Sequence, residues 1–92
     1  MARQVHVELV SVEQSVWSGD AEMLVARTTE GELGILAGHA PLLGQLVEPS
    51  EVRIKRSAGE ELAYEVGGGF LAVSEAGVTI LAESCQPTTR SR

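Results

Sequence analysis

Apolar residues in this chain recur at every second position, and glycine or proline interrupts them every few residues. That combination leaves room for little except short strands, because period two places alternate side chains on opposite faces of a pleated ribbon. Val5, Val7 and Leu9 alternate with His6 and Glu8. The phase then changes, since Val10 and Val12 are apolar too, which requires a β-bulge or burial on both faces. Ser18-Gly19-Asp20 reads as a turn, and residues 22–28 as a short apolar strand. In Gly31-Glu32-Leu33-Gly34-Ile35-Leu36 two glycines bracket an alternating pair, a sign of a bulge or of close backbone approach. Gly38-His39-Ala40-Pro41 reads as a turn before the run from Leu42 to Val47. No segment longer than a turn or two has helical periodicity. Many short strands separated by glycine and proline predict an all-β domain, either a sandwich or a barrel.

The clearest element is a hairpin. Val52 and Ile54 alternate with Arg53 and Lys55, and Leu62, Tyr64 and Val66 alternate with Glu61, Ala63 and Glu65. Pairing Ser57 with Glu61 across the Ala58-Gly59-Glu60 loop sets Ile54 opposite Tyr64, Val52 opposite Val66 and Arg53 opposite Glu65. A second hairpin joins Phe70-Leu71-Ala72-Val73 to Val78-Thr79-Ile80-Leu81-Ala82 through Glu75-Ala76-Gly77. Gly67-Gly68-Gly69 precedes it and reads as a bend where two backbones approach. Residues 1–84 are expected to form one domain and 85–92 a flexible tail, since Ser84 to Arg92 has no pattern.

Composition narrows the function. The net charge is −6, from 13 acids and 7 bases, which is a poor footprint for nucleic acid or anionic lipid. One cysteine, Cys85, cannot form an internal disulfide, and no paired Cys/His ligands exist for zinc. The N-terminus lacks the apolar run of a signal peptide, and no stretch approaches the ~20 apolar residues of a membrane span. The chain therefore reads as soluble, with any partner surface basic or apolar.

Reactive groups are sparse. His6 alternates with core residues and belongs on an outer strand face. His39 sits in a turn, as a structural histidine or as a contact residue. Cys85 has no assignable base, and Asp20 is the only aspartate, which leaves little for a nucleophilic triad. The triple glycine lacks the Lys-Ser/Thr of a phosphate loop and precedes a strand rather than a helix. Lys55, the only lysine, lies inside a strand rather than at the exposed hairpin tip of a lipoyl or biotinyl carrier. No catalytic residue, cofactor or metal ligand is expected. A scaffold or adaptor remains, or an independent β-sandwich module for a peptide or small ligand.

The segment Thr29-Glu30-Gly31-Glu32-Leu33-Gly34-Ile35-Leu36-Ala37-Gly38-His39-Ala40-Pro41-Leu42-Leu43 resembles the signature of the epsilon subunit of bacterial F-type ATP synthases. Val10-Ser11-Val12-Glu13 with Trp17-Ser18-Gly19 fits as well, as do Gly68-Gly69-Phe70-Leu71-Ala72-Val73 and Val78-Thr79-Ile80-Leu81-Ala82-Glu83. The resemblance implies a β-sandwich of two five-stranded, mainly antiparallel sheets. It also implies a non-catalytic place in the central-stalk rotor, between the gamma subunit and the ring of c subunits, with the catalytic head engaged only indirectly. Its implied location is the cytoplasmic face of the bacterial cell membrane, held peripherally and without lipid insertion. Residue by residue, it places Gly31 and Glu32 at the c ring and Ser11 and His39 at gamma. Leu42 and Leu43 lie nearby, as apolar contacts or as core. Two departures stand out. Ala37 replaces the proline expected before Gly38, and the helical hairpin that usually follows the sandwich in the family is not expected within these 92 residues.

Overall fold

The computed structural model describes residues 4–12, 15–56 and 59–88. Ten strands follow in order, with no α-helix among the described residues: β1 Val5–Ser11, β2 Ser15–Ala21, β3 Met23–Thr28, β4 Gly31–Ile35, β5 Leu42–Gln45, β6 Ser50–Lys55, β7 Glu61–Val66, β8 Gly69–Ser74, β9 Gly77–Ala82 and β10 Cys85–Pro87. They form two five-stranded sheets, ordered β2-β1-β9-β8-β5 and β10-β7-β6-β3-β4. Every pairing is antiparallel except β1 with β9. The expected sandwich of two five-stranded sheets is what forms.

The inner faces carry the alternating set read from the sequence. Val7, Leu9, Leu71 and Ile80 from the first sheet meet Leu24, Ile35, Val52, Ile54 and Val66 from the second, all at 0% exposure. Burying each such aliphatic side chain contributes roughly 1.5–3 kcal/mol. A core with so few aromatic residues therefore depends on many close-packed branched side chains. The phase change at Val10 is a bulge: the β1–β2 register shifts between Leu9 and Val10.

Three expectations need correction. The β6–β7 hairpin keeps the predicted faces but slides by two residues. Val52 faces Tyr64, Ile54 faces Leu62, and Arg53 faces Ala63. The reason is the loop: Arg56 N–H donates to Glu60 O at 2.7 Å, and Gly59, at φ +82°, takes the last loop position. Three-residue hairpin loops place their left-handed residue there, and glycine adopts that conformation without strain. Ser57, the residue on which the predicted register hinged, lies outside the described residues. Ser18-Gly19-Asp20 is not a turn; it continues β2. A Cβ on Gly19 would come within 2.9 Å of the Trp17 ring, so the glycine makes room for the indole on the inner face. Finally, Cys85–Pro87, expected within a tail, pairs with Val66–Tyr64 at the edge of the second sheet.

The turn after β4 runs from Leu36 to His39, whose N–H donates to Leu36 O at 3.1 Å, with Gly38 at φ +85° in the third position. This is a type II arrangement, which favours proline at its second position, here Ala37. Ala37→Pro is expected to stabilise the domain by about 0.4–1 kcal/mol, by restricting the unfolded chain. A thermal melt should show the midpoint rising by about 2–8 °C. An unchanged or lower midpoint would mean that the turn does not have this geometry.

Candidate docking surface

The two outer faces of the sandwich differ in chemistry. On the second sheet the outward side chains include Glu51, Arg53 and Lys55 of β6, Glu61 and Glu65 of β7, Arg27 of β3 and Glu32 of β4. Arg53 donates to Glu32 at 3.2 Å across that face. The first sheet carries an apolar row instead. Phe70 pairs with Leu81, and Leu81 lies beside Val10 on β1. Leu43 sits one step along on β5, opposite Ala72. Leu43 is 73% exposed, Phe70 51% and Leu81 48%. Single exposed apolar side chains are ordinary, but a row across three adjacent strands, with Leu43 diagonal to it on the fourth, marks an interaction surface.

The expected contact residues scatter over this frame. Leu43 lies on the apolar face. Leu42 turns inward and packs against the core, so the two neighbours have different roles. Gly31 and Glu32 open β4 just after the Thr29-Glu30 hairpin tip. There Thr28 Oγ1 donates to Gly31 O at 2.9 Å and accepts from Glu30 N–H at 3.1 Å. Residues 28–33 of this hairpin and 42–45 of β5 border an open groove of about 550 Å³. His39 Nδ1–H donates to Ala40 O at 2.7 Å, and His39 shares a small cavity with Gln4, Val5 and His6 at the start of β1. Ser11 ends the same strand, about 20 Å away at ~3.3 Å per residue. The structure thus brings His39 close to the start of β1 and leaves Ser11 at the far end.

Sequence reading missed Val10, Phe70, Ala72 and Leu81 as surface residues, although a signal was present. Phe70-Leu71-Ala72-Val73 and Val78 to Ala82 are nearly unbroken apolar runs, whereas β6 alternates with charges. An unbroken run fits a strand covered on both faces. This chain covers one face of β8 and β9 and leaves the other bare.

The sequence matches, over residues 4–88, the family described as ATP synthase, Delta/Epsilon chain, beta-sandwich domain. The chain belongs to this ATP synthase family. Its relatives include the ATP synthase epsilon chain of Frankia casuarinae, 54% identical over 91% of this chain and 98% of the relative. That of Corynebacterium urealyticum is 53% identical over 88% of this chain and 65% of the relative. The Mycobacterium tuberculosis epsilon chain is 49% identical, over 90% and 69%. Among solved structures, a chain of the Euglena gracilis mitochondrial ATP synthase, in an OSCP/F1/c-ring assembly, superimposes with a TM-score of 0.85 at 28% identity, covering 91% of this chain and 53% of that one. A chain of the Tetrahymena thermophila central stalk/c-ring structure shares the fold, with a TM-score of 0.75 at 16% identity over 91% and 66%. As an epsilon-type chain the protein is a subunit of ATP synthase, a membrane-associated complex in which this subunit performs no catalytic step.

Burial pushes the Cys85 thiol up, away from the reactive thiolate. Burial, and then the neighbouring Cys85, push up the Tyr64 hydroxyl. Among the described residues no group of histidine, cysteine and acids is placed to hold a metal ion.

Proposed function

We propose that this chain is a rotor component joining the gamma-type shaft of the central stalk to the c ring, so that ring rotation driven by proton flow reaches the catalytic head. The apolar row Val10–Leu81–Phe70 with Leu43 is the seat for the gamma-type chain, and the Gly31–Glu32 end of β4 meets the polar loops of the ring. Assembly places the chain at the cytoplasmic face of the bacterial membrane. The observation that carries this reading is the bare apolar face of a sheet whose other face is fully packed. It is supported by the assembly named for the Euglena structure, which contains F1 and the c ring.

A stable contact of standard size buries about 1,200–2,000 Å² in total. Four apolar side chains supply its centre, with the surrounding polar rim fixing orientation. His39 and Ser11, at opposite ends of β1, belong to the rim. At the ring-facing end, Glu32 is held by Arg53 from the charged face, which leaves its second carboxylate oxygen for a basic loop. An exposed pair of this kind contributes only ~0–1 kcal/mol, so the ring contact orients the chain more than it holds it. Affinity-tagged chain recovered from membranes of its own cells, followed by identification of the subunits bound, tests the reading. Gamma and c subunits should be retained in detergent. Retention of neither would refute it, and retention of gamma alone would refute the ring contact.

A further inference from the structure

One charged feature of the apolar face is not used by that reading. His6 projects from β1 on the same outer face as Phe70 and Leu81, directly opposite Asp20 of β2. Its Nδ1 lies 3.2 Å from Asp20 Oδ1, and its Nε2 lies 3.2 Å from Glu8 Oε2. A neutral imidazole carries one N–H and one acceptor lone pair, so it can satisfy only one of two carboxylates. Both ring nitrogens donate only in the imidazolium. The arrangement therefore selects a bound proton, and the carboxylates raise the affinity of His6 for it, Asp20 more than Glu8.

The position of this triad relative to the apolar row matters. Glu8 stands beside Thr79, Thr79 beside Ala72 and Ala72 beside Leu43, in the row next to Val10–Leu81–Phe70. His6 is four residues from Val10 along β1, about 13 Å at ~3.3 Å per residue. A partner footprint of ~800 Å² is roughly 30 Å across, so the triad falls inside its rim. The other groups facing His6 are few. Gly77 and Thr79 of β9 are uncharged, and Gln4, Glu75 of the β8–β9 turn and His39 share the small cavity beside it.

We propose that the Asp20–His6–Glu8 triad is a proton-binding rim of the docking face, whose charge changes from −1 to −2 when His6 releases its proton and thereby speeds docking of a basic partner surface. The inference rests on the docking reading above. A basic partner follows from the charge of the chain, which is −6 in total, and from the two carboxylates left at the rim. Rim charges act mainly on the association rate and are screened by salt.

The test is stopped-flow association of the full chain with purified gamma subunit, from pH 6 to pH 9 at low salt. The rate is expected to rise about two- to five-fold across the His6 titration, the range of an exposed charge pair. His6→Asn should flatten the profile, and ~0.5 M salt should flatten it for the unaltered chain as well. The ring proton of His6 observed by NMR should titrate above pH 6.5, and Asp20→Asn should bring it down more than Glu8→Gln. A profile already flat in the unaltered chain, or one that persists in His6→Asn, overturns the proposal. Absence of any association overturns the docking reading instead, so the two failures are distinct.

Discussion

Phe70→Asp is expected to abolish the complex with the gamma-type chain while leaving the isolated domain folded. Phe70 links the apolar row to Leu43, lying beside Leu81 and diagonal to Leu43, and is half exposed in the free chain. Aromatic anchors at the centre of an interface cost 2 kcal/mol or more when truncated, about a 30-fold loss of affinity. A carboxylate at the same position would also have to be stripped of water without a partner, which adds several kcal/mol. In the isolated chain the residue faces solvent, where substitutions usually change stability by no more than ~0.5 kcal/mol. Gel filtration should therefore show no co-elution with gamma, and the thermal midpoint should stay within about 4 °C. Lys55→Glu on the opposite, charged face provides the comparison and should co-elute as the unaltered chain does. Equal binding by Phe70→Asp, or equal loss by both variants, would remove the apolar face from the assembly.

Gly69→Ala is expected to produce the largest loss of stability of any single methyl addition in the chain. Gly69 begins β8 at φ +127°, opposite Ala82. A Cβ there would overlap the carbonyl oxygen of Leu81 and come within 2.8 Å of Ala82 Cα. Both obstacles are backbone atoms of the next strand, which cannot swing aside as a side-chain end can. Replacing glycine by alanine ordinarily stabilises, by limiting the unfolded chain, but the sign reverses where φ is positive. Strain and overlap together should cost about 2–4 kcal/mol, lowering the midpoint by about 10–25 °C. Gly59→Ala is the informative contrast. Gly59 also has positive φ, but nothing lies within 4 Å of an added Cβ, so only the conformational cost of roughly 1–2 kcal/mol applies. A smaller loss at Gly69 than at Gly59 would contradict the close approach of β8 and β9.

Particular residues show how far the sequence could be read. The alternation of Val5, Val7 and Leu9, and that of Val52 and Ile54 with Arg53 and Lys55, assigned each side chain to its face correctly, because parity along a strand is a local property. The register of the β6–β7 hairpin was not legible. Two registers differing by two residues give every side chain the same face, and the choice fell to the left-handed conformation of Gly59. Gly19 misled for a similar reason. Glycine marks a turn when only its neighbours in sequence are considered, whereas here it admits the ring of Trp17 two residues away.

The contact residues follow the same division. Leu42 and Leu43 are identical in chemistry and adjacent in sequence, and only the pleat of β5, fixed by its pairing with β8, sends one into the core and the other to the surface. Family resemblance pointed to Ser11 and His39 together, but they lie at opposite ends of β1.

Composition and period by themselves determined that the fold is built of short strands, and which face of each alternating strand turns inward, because side-chain direction along a strand is set residue by residue. The order of ten strands in two sheets, the gathering of Val10, Leu43, Phe70 and Leu81 from four of them, and the clamp on His6 were decided only by tertiary structure. Apart from the His6–Glu8 contact, those features join residues 11 to 71 positions apart, and separation in sequence carries no physical record of which strand edge will meet which.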